Sequence, residues 1–470
     1  MPRAAEVAPD DLALLGKAGL PSTEANAWLC SCPVIGGNID EDSAACSRFW
    51  HQAAALRGQL PAKAQRQQDQ TSAAGLIHER ERELRERYLA THAKAIYGKL
   101  TDNRKSFVRA DRLVVEAGQL VPGLTPRAKE LATDAALPLK DKEGYETDQG
   151  LFLANVLEDE TCGQHLCHAM LLPRPDTHEL LAQLAKDGSV NLGSAMVTRV
   201  GNASVVEMRN PRFLNAMDYD WLGPLETAVD LAILDPKTAI AVLRGGVVDN
   251  PKYAGRRIFS SGINLTNLYL GRIPFQFYVD HIMGFEHKIF RGIAHPDRSP
   301  DDTTGATTEK PWIATVDAFA IGGGCQHLLV MDYVLAASDA YMTLPARKEG
   351  IIPGCSNMRL PRFVGDRIAR QAIMYGRRLD CDSAEGRLIC DEVVPPERMD
   401  QALAGVIDAL TSSGVVSAVA NRRGFRIAQE PLDLFRRYLA LYFREQAYCH
   451  FSPALIANLE RHWNATQRKV

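Results

Sequence analysis

The sequence predicts an α/β core between two helical flanks, and three observations carry that prediction. Before about residue 194, apolar and charged positions recur at helical steps. From Ser194 onward, short β-rich runs alternate with helical segments and end in glycine-rich turns. After about Glu397 the helical pattern returns. The chain therefore divides into an all-helical N-terminal domain (1–193), an α/β core (194–396) and a C-terminal helical segment (397–470).

In the N-terminal domain, His78–Leu100 (HERERELRERYLATHAKAIYGKL) mixes Leu, Tyr and Ile at three- and four-residue steps with dense charge. That pattern is an amphipathic helix whose charged side is either a solvated face or a partner surface. Arg127–Leu137 has the same character after the turn Pro122-Gly123. Pro173, Pro175 and Asp187-Gly188 punctuate the end of the region. In the core, Met196–Val200 and Ala203–Met208 flank Gly201-Asn202 and read as a hairpin. Trp221–Leu234 is a helix with Leu222, Leu225, Val229 and Ile233 on one face. Ala239–Leu243, Trp312–Phe319, Asp332–Ala337 and Tyr341–Leu344 are strands. Leu434–Tyr442 and Pro453–Trp463 are amphipathic helices of the tail.

Composition narrows the classes of function. Among 470 residues, 54 Lys+Arg face 57 Asp+Glu, a net charge of −3. That balance argues against a polyanion surface, so no nucleic-acid partner is expected. No 18-residue apolar stretch and no secretory leader are visible, since Asp10 and Asp11 interrupt the first apolar run. The expected setting is a reducing cytoplasm with free thiols and no membrane contact. Two cysteine groups invite a metal reading: Cys30, Cys32 and Cys46, and Cys162, Cys167 and His168 with His165 between them. Neither has the paired spacing of a zinc site, so packed thiols are the better reading and no metal is expected.

The chemistry lies in two small-residue turns. Ala318–Gln326 (AFAIGGGCQ) runs from a strand through three glycines into an apparent short helix, His327–Met331. Ile258–Leu265 (IFSSGINL) runs from a strand through Ser and Gly to a helix start at Asn264. Free N–H groups at such turns bind a phosphate or a developing oxyanion. Neither turn has the G-x-G-x-x-G pattern or the Gly-Lys-Ser/Thr of a nucleotide loop. A tight strand–helix joint is the alternative reading of three glycines alone.

Together with Arg209–Ala216 (RNPRFLNA) and Leu344–Gly354 (LPARKEGIIPG), these turns resemble the crotonase (enoyl-CoA hydratase/isomerase) superfamily in order and spacing, over about Val197–Val394. The resemblance implies a crotonase (ClpP-like) spiral of ββα units with C-terminal oligomerisation helices, in trimers or dimers of trimers. It also implies that Ile263 and Gly323 supply the two oxyanion N–H groups. Arg212 would meet the CoA nucleotide. Ser260, Ser261 and Asn264 would line the CoA path through backbone contacts, beside Ala216, Gly262, Gly322 and Gly324. Trp463, Leu455 and Tyr442 would be buried at a subunit interface.

Departures from the hydratase pattern point to a different reaction. Hydratases carry two glutamates that position and deprotonate water. Gln326 and Ala346 stand in those places. Glu349 remains nearby, as a base or as a loop charge. The long N-terminal extension, Asp230–Pro236 (DLAILDP), GGGCQ and IIPG resemble the cofactor-independent 3,5-dihydroxyphenylacetyl-CoA dioxygenase branch. By that resemblance the enzyme is a dioxygenase. Its enolate reduces O2 directly, and an α-keto acid and free CoA leave. No cofactor is needed, since the CoA thioester is the substrate and O2 the co-substrate. Gln326 would hold substrate or peroxide, and Ala320 and Ile351 would wall a dry O2 pocket; an ordinary core role is the alternative for Ile351. A dihydroxyphenyl ring wants a carboxylate and an arginine where this chain has Met217 and His281. Asp218 or His287 would be substitutes. His281 is a ring partner, a base or a solvent-facing histidine, and His327 faces either the pocket or a subunit interface. Two alternatives stay open: another crotonase-type hydratase, isomerase or thioester hydrolase, and a non-catalytic CoA-binding scaffold.

Overall fold

The computed structural model describes residues 9–253, 255–298, 307–412 and 416–468. Residues 1–8 of the segment read for a leader lie outside them. No helix among the described residues is long and apolar enough to cross a membrane. The chain forms two compact units. One takes the residues up to Leu166 with Leu439–Phe451; the other takes Cys167–Tyr438 with Ser452–Val470. The expected boundary after residue 193 instead marks the start of the sheet's second strand.

The first unit is helical. Its longest helix, Gln68–Leu100, contains the whole charged stretch read from the sequence. Ala73, Ile77, Leu84, Tyr88 and Ile96 bury one face of it, and Trp28 stacks on Phe49 at 5.2 Å nearby in the core. Several of its charges turn inward rather than to solvent. Arg85 is buried and donates to the carbonyls of Leu124 (2.8 Å) and Gly123 (2.9 Å), and Arg57 pairs with buried Glu81. The Asn38 side chain caps the helix Ile39–Arg57 by accepting from the N–H groups of Asp40 and Glu41.

The second unit carries the sheets. Its strands in chain order are β1 (Ser189–Asn191), β2 (Ala195–Val200), β3 (Ala203–Met208), β4 (Ile240–Gly245), β5 (Ile293–Ala294), β6 (Thr307–Thr308), β7 (Trp312–Val316), β8 (Phe319–Ile321), β9 (Tyr333–Ala337), β10 (Tyr341–Thr343), β11 (Leu379–Asp380) and β12 (Glu392–Val394). The main sheet has the order β1-β2-β3-β4-β7-β9-β12. The hairpin β2–β3 is antiparallel with Val200 opposite Ala203; from β3 to β12 the pairings are parallel. Parallel strands are covered on both faces, and all five residues of β7 are buried. A smaller sheet, β11-β10-β8, stands apart.

Two expectations shift at the glycine-rich turn. The run Trp312–Phe319 is not one strand: the chain leaves the main sheet after Val316 and re-enters the small sheet as β8. The helix begins inside the glycines, at Gly323, and ends at Leu328. Both shifts place the strand ends of two sheets beside one helix N-terminus. Leu455 (0% exposed) and Tyr442 (3%) are buried within the chain itself. Their apolar area is therefore not available to a subunit interface, contrary to the expectation; half-buried Trp463 lines a cavity instead.

Candidate active site

The two turns meet. Ser260 and Ala320 form an isolated parallel bridge, in which Ser260 N–H donates to Phe319 O (3.4 Å) and Ile321 N–H to Ser260 O (3.0 Å). Met217 bridges Ile263 in the same way: Met217 N–H donates to Gly262 O (2.7 Å), and Asn264 N–H to Met217 O (2.9 Å). Those bonds use the groups on either side of Ile263 and turn its own N–H the other way. Gly323 opens a helix, so its N–H has no intrahelical acceptor. Neither N–H meets a backbone carbonyl among the described residues.

Glycine is required where the turns press together. Gly262 has φ 84°, and a Cβ there would lie 2.8 Å from the Ile321 carbonyl. At Gly324 a Cβ would fall 2.8 Å from Ser260 Cβ. The RNPRFLNA segment supplies the other support. Leu214 (φ 55°) and Asn215 (φ 54°) are both left-handed without being glycine. Buried Asn215 offsets that strain by donating from Nδ2 to the carbonyls of Gly246 (3.0 Å) and Ile258 (2.7 Å). Ser260 Oγ donates to the Asn215 carbonyl (2.9 Å) and accepts from Gly262 N–H (3.1 Å).

A cavity of about 690 Å³ opens against this junction. Of the residues singled out in the sequence, Arg212, Ala216, Ser261, Ile263 and Asn264 line it, together with Glu349. Basic side chains from three places share the wall: Arg212, Lys348 and Arg468, the last lying over the Trp463 ring at 3.5 Å. The others lie deeper or to the side. Met217, Ser260, Gly323, Gly324, Gln326 and Ala320 are buried; Gly322 and Ile351 are half-buried. Gly322 N–H donates to the Thr343 carbonyl (2.9 Å), which ties the turn to β10. Gln326 Oε1 is buried without a hydrogen-bond partner.

Behind Gly323 stands a cluster with no sequence signature. His281 is buried, not solvent-facing, and its Nε2 lies 2.9 Å from His327 Nε2; one of the two must donate and the other accept. A Cβ on Gly323 would sit 3.5 Å from His281 Cε1 and 2.0 Å from Met217 Cε. His281 and Glu286 lie on a π-helix, Asp280–Glu286. Its i,i+5 winding stacks residues five apart on one face, where an α-helix would splay them. Glu286 Oε1 is 3.5 Å from His281 Nε2 and 3.9 Å from His327 Nε2. Its other oxygen accepts from Arg359 Nη1 at 3.1 Å. Arg359 in turn donates twice to Glu430, at 3.0 and 2.9 Å.

Burial dominates the electrostatics here. It pushes the Glu286 carboxyl up to about 8, opposed by Arg359. It pulls the His281 imidazole down to about 3, helped by Arg359, and holds His327 well below its ordinary value. The ligand atoms of His281, Glu286 and His327 lie within 4.8 Å of one another, a spacing that fits a cation. The surroundings oppose a dication, because Arg359 already neutralises Glu286 and the rings of Phe277 and Phe285 stack on His281. At the cysteine cluster considered earlier, ring nitrogens are taken: His165 Nδ1 by the Tyr97 hydroxyl (2.7 Å), His168 Nε2 by the His295 carbonyl (2.9 Å).

Both substitutes considered for a ring partner are engaged in structural roles. Asp218 accepts from the side-chain amides of Asn210 (3.2 Å), Asn264 (3.1 Å) and Asn267 (2.6 Å). His287 is buried against Phe435, ring centroids 4.2 Å apart. Asp230 of the DLAILDP element likewise binds buried Lys288 at 2.7 Å.

Comparison with known proteins agrees with this geometry. The enoyl-CoA hydratase/isomerase family profile matches residues 286–432. A (3,5-dihydroxyphenyl)acetyl-CoA 1,2-dioxygenase from Amycolatopsis orientalis is 44% identical over 389 residues, covering 83% of this chain and 88% of that protein. A probable enoyl-CoA hydratase from Rhizobium meliloti is 25% identical over 48% of this chain and 77% of its own length. The crystal structure of an enoyl-CoA hydratase from Mycobacterium avium subsp. paratuberculosis superposes with a TM-score of 0.47 at 21% identity, covering 57% of this chain and 98% of that one. The chain belongs to the crotonase (enoyl-CoA hydratase/isomerase) superfamily.

Proposed function

We propose that the protein is a dioxygenase of arylacetyl-CoA thioesters. It takes an arylacetyl-CoA and O2 to an arylglyoxylate and free CoA, with no metal or organic cofactor. The observation that carries the reading is the meeting of the two turns with Gln326 buried beside them, where a hydratase keeps a carboxylate. The 44% identity to a dioxygenase of that thioester class supports it.

Ile263 and Gly323 N–H hold the thioester oxygen and stabilise the enolate left when the α-carbon loses a proton. Donors of this kind contribute about 2.7–4 kcal/mol each to the transition state. The electron-rich enolate carbon reduces O2 and forms a C–O bond. The distal oxygen closes on the thioester carbonyl, the C–S bond breaks to release CoA, and O–O cleavage leaves the α-keto acid. Both oxygen atoms enter the acid, and no water is consumed. Gln326 donates to the peroxide, and Ala320 and Ile351 keep its surroundings dry. Arg212, Lys348 and Arg468 hold the CoA phosphates.

The acyl end differs from the relative's named substrate. Met217 offers a thioether, and His281 is already bonded to His327. A ring with fewer hydroxyls than the 3,5-dihydroxyphenyl group fits that wall. The working unit is a homotrimer or a dimer of trimers, checked by light scattering. The decisive experiment incubates metal-stripped protein with phenylacetyl-CoA and 3,5-dihydroxyphenylacetyl-CoA under labelled O2. Two labelled oxygens in an α-keto acid are expected. Undiminished CoA release without O2 would overturn the reading in favour of a thioester hydrolase.

A further inference from the structure

The proposed reaction begins when the carbon beside the thioester carbonyl gives up a proton, and none of the residues assigned above accepts it. Gln326 is an amide. His281 and His327 face each other and are packed among phenyl rings. The wall of the cavity holds a single carboxylate, Glu349. It ends the short turn Ala346–Glu349, which Gly350 closes in the left-handed region at φ 87°. No hydrogen bond or ion pair engages this carboxylate among the described residues, although Arg212, Tyr253, Tyr341, Lys348, His462 and Arg468 share the cavity. Carboxylates elsewhere in the same unit, such as Glu309 and Glu430, are tied by arginines.

We propose that Glu349 is the general base that removes the α-proton of the acyl-CoA in the cavity lined by Ile263. This rests on the enolate reading above. The α C–H bond breaks, its electron pair moves onto the thioester oxygen held by the two N–H groups, and the carboxylate becomes a carboxylic acid. When the C–S bond later breaks, the acid returns that proton to the CoA thiolate. The residue begins and ends the cycle ionised. Burial pushes its carboxyl up to about 7, with no charged neighbour contributing. A base is most effective when its pKa lies near the working pH.

The test follows exchange of the α-hydrogens of phenylacetyl-CoA for deuterium in D2O without O2. Exchange reports enolate formation alone, so it separates this inference from the oxygenase reading. Exchange with no O2 uptake would sink the dioxygenase and leave the base standing. The expectation is that Glu349→Gln slows exchange by about 10²–10⁴-fold with an unchanged melting curve, and that Glu349→Asp keeps part of the rate. Wild-type exchange should rise with pH through about 7. Exchange in Glu349→Gln within threefold of wild type would overturn the proposal. If that variant does not fold, a wild-type exchange rate flat between pH 5 and 9 would do the same.

Discussion

The two sides of Gly323 are built from different materials. On one side, the oxyanion turns are main chain, positioned by bridges between Ser260 and Ala320 and between Met217 and Ile263. On the other, His281, His327, Glu286, Arg359 and Glu430 form a buried side-chain network. The first side tolerates changed side chains provided the backbone keeps its N–H groups and its close approaches. The second depends on every partner, because a buried charge left alone has no water to replace what it lost. The chemistry needs both: one stabilises negative charge for a moment, and the other fixes the wall against which that charge forms.

The sharpest way to separate them removes a partner from the network. Arg359→Met should lower the unfolding free energy by about 3–5 kcal/mol, since it strands Glu286 and Glu430 together; denaturant melts followed by tryptophan fluorescence measure this. A shift under 1 kcal/mol would mean the network is not held by that arginine. On the backbone side, Met217→Ala with Gly323→Pro makes room beside the turn while deleting one N–H. Its kcat should fall about 10²–10³-fold, with Met217→Ala alone close to wild type and both melting alike. Equal activity in the double variant would dissolve the contrast.

A third difference shows in acid. His281, His287 and His327 stay neutral in the fold because burial lowers their pKa, whereas in the unfolded chain they take up protons below about 6.5. Stability should therefore fall as pH drops from about 6.5 toward 3, by up to about 1.4 kcal/mol per pH unit for each imidazole. Melts at pH 7, 6 and 5 would show the slope, and substituting His281 by Gln should flatten it. The smallest effect concerns Gln326. Removing its amide with Gln326→Ala should cost about one hydrogen bond, near 1 kcal/mol, and slow O2 uptake roughly fivefold. Anaerobic exchange should not change.

The same contrast explains what was legible in the sequence. Glycines at Gly262 and Gly322–Gly324 mark places where the backbone demands no side chain, so the turns can be read from residue types alone. The hairpin of β2 and β3 shows equally in its alternation around Gly201-Asn202. The network could not be read this way. Glu286, Arg359 and Glu430 lie more than seventy residues apart from one neighbour to the next, and no local period links them. His281 resembled a surface residue because α-helical spacing hides what a π turn brings together. The split of Trp312–Phe319 into two strands was hidden for a similar reason: apolar content is continuous across it, and only the change of sheet divides it.

The π segment Asp280–Glu286 also constrains how this lineage can vary in length. It accommodates one residue more than an α-helix would over the same span. A single-residue deletion there would restore regular winding at no local cost. It would also rotate everything downstream by about 100°, carrying Lys288 away from Glu226 and Asp230, to which its ammonium is bonded at 2.7 Å each. The extra residue is therefore locked in from both ends, by an imidazole before it and an ammonium after it. Chains in which it is lost must rebuild both partnerships at once.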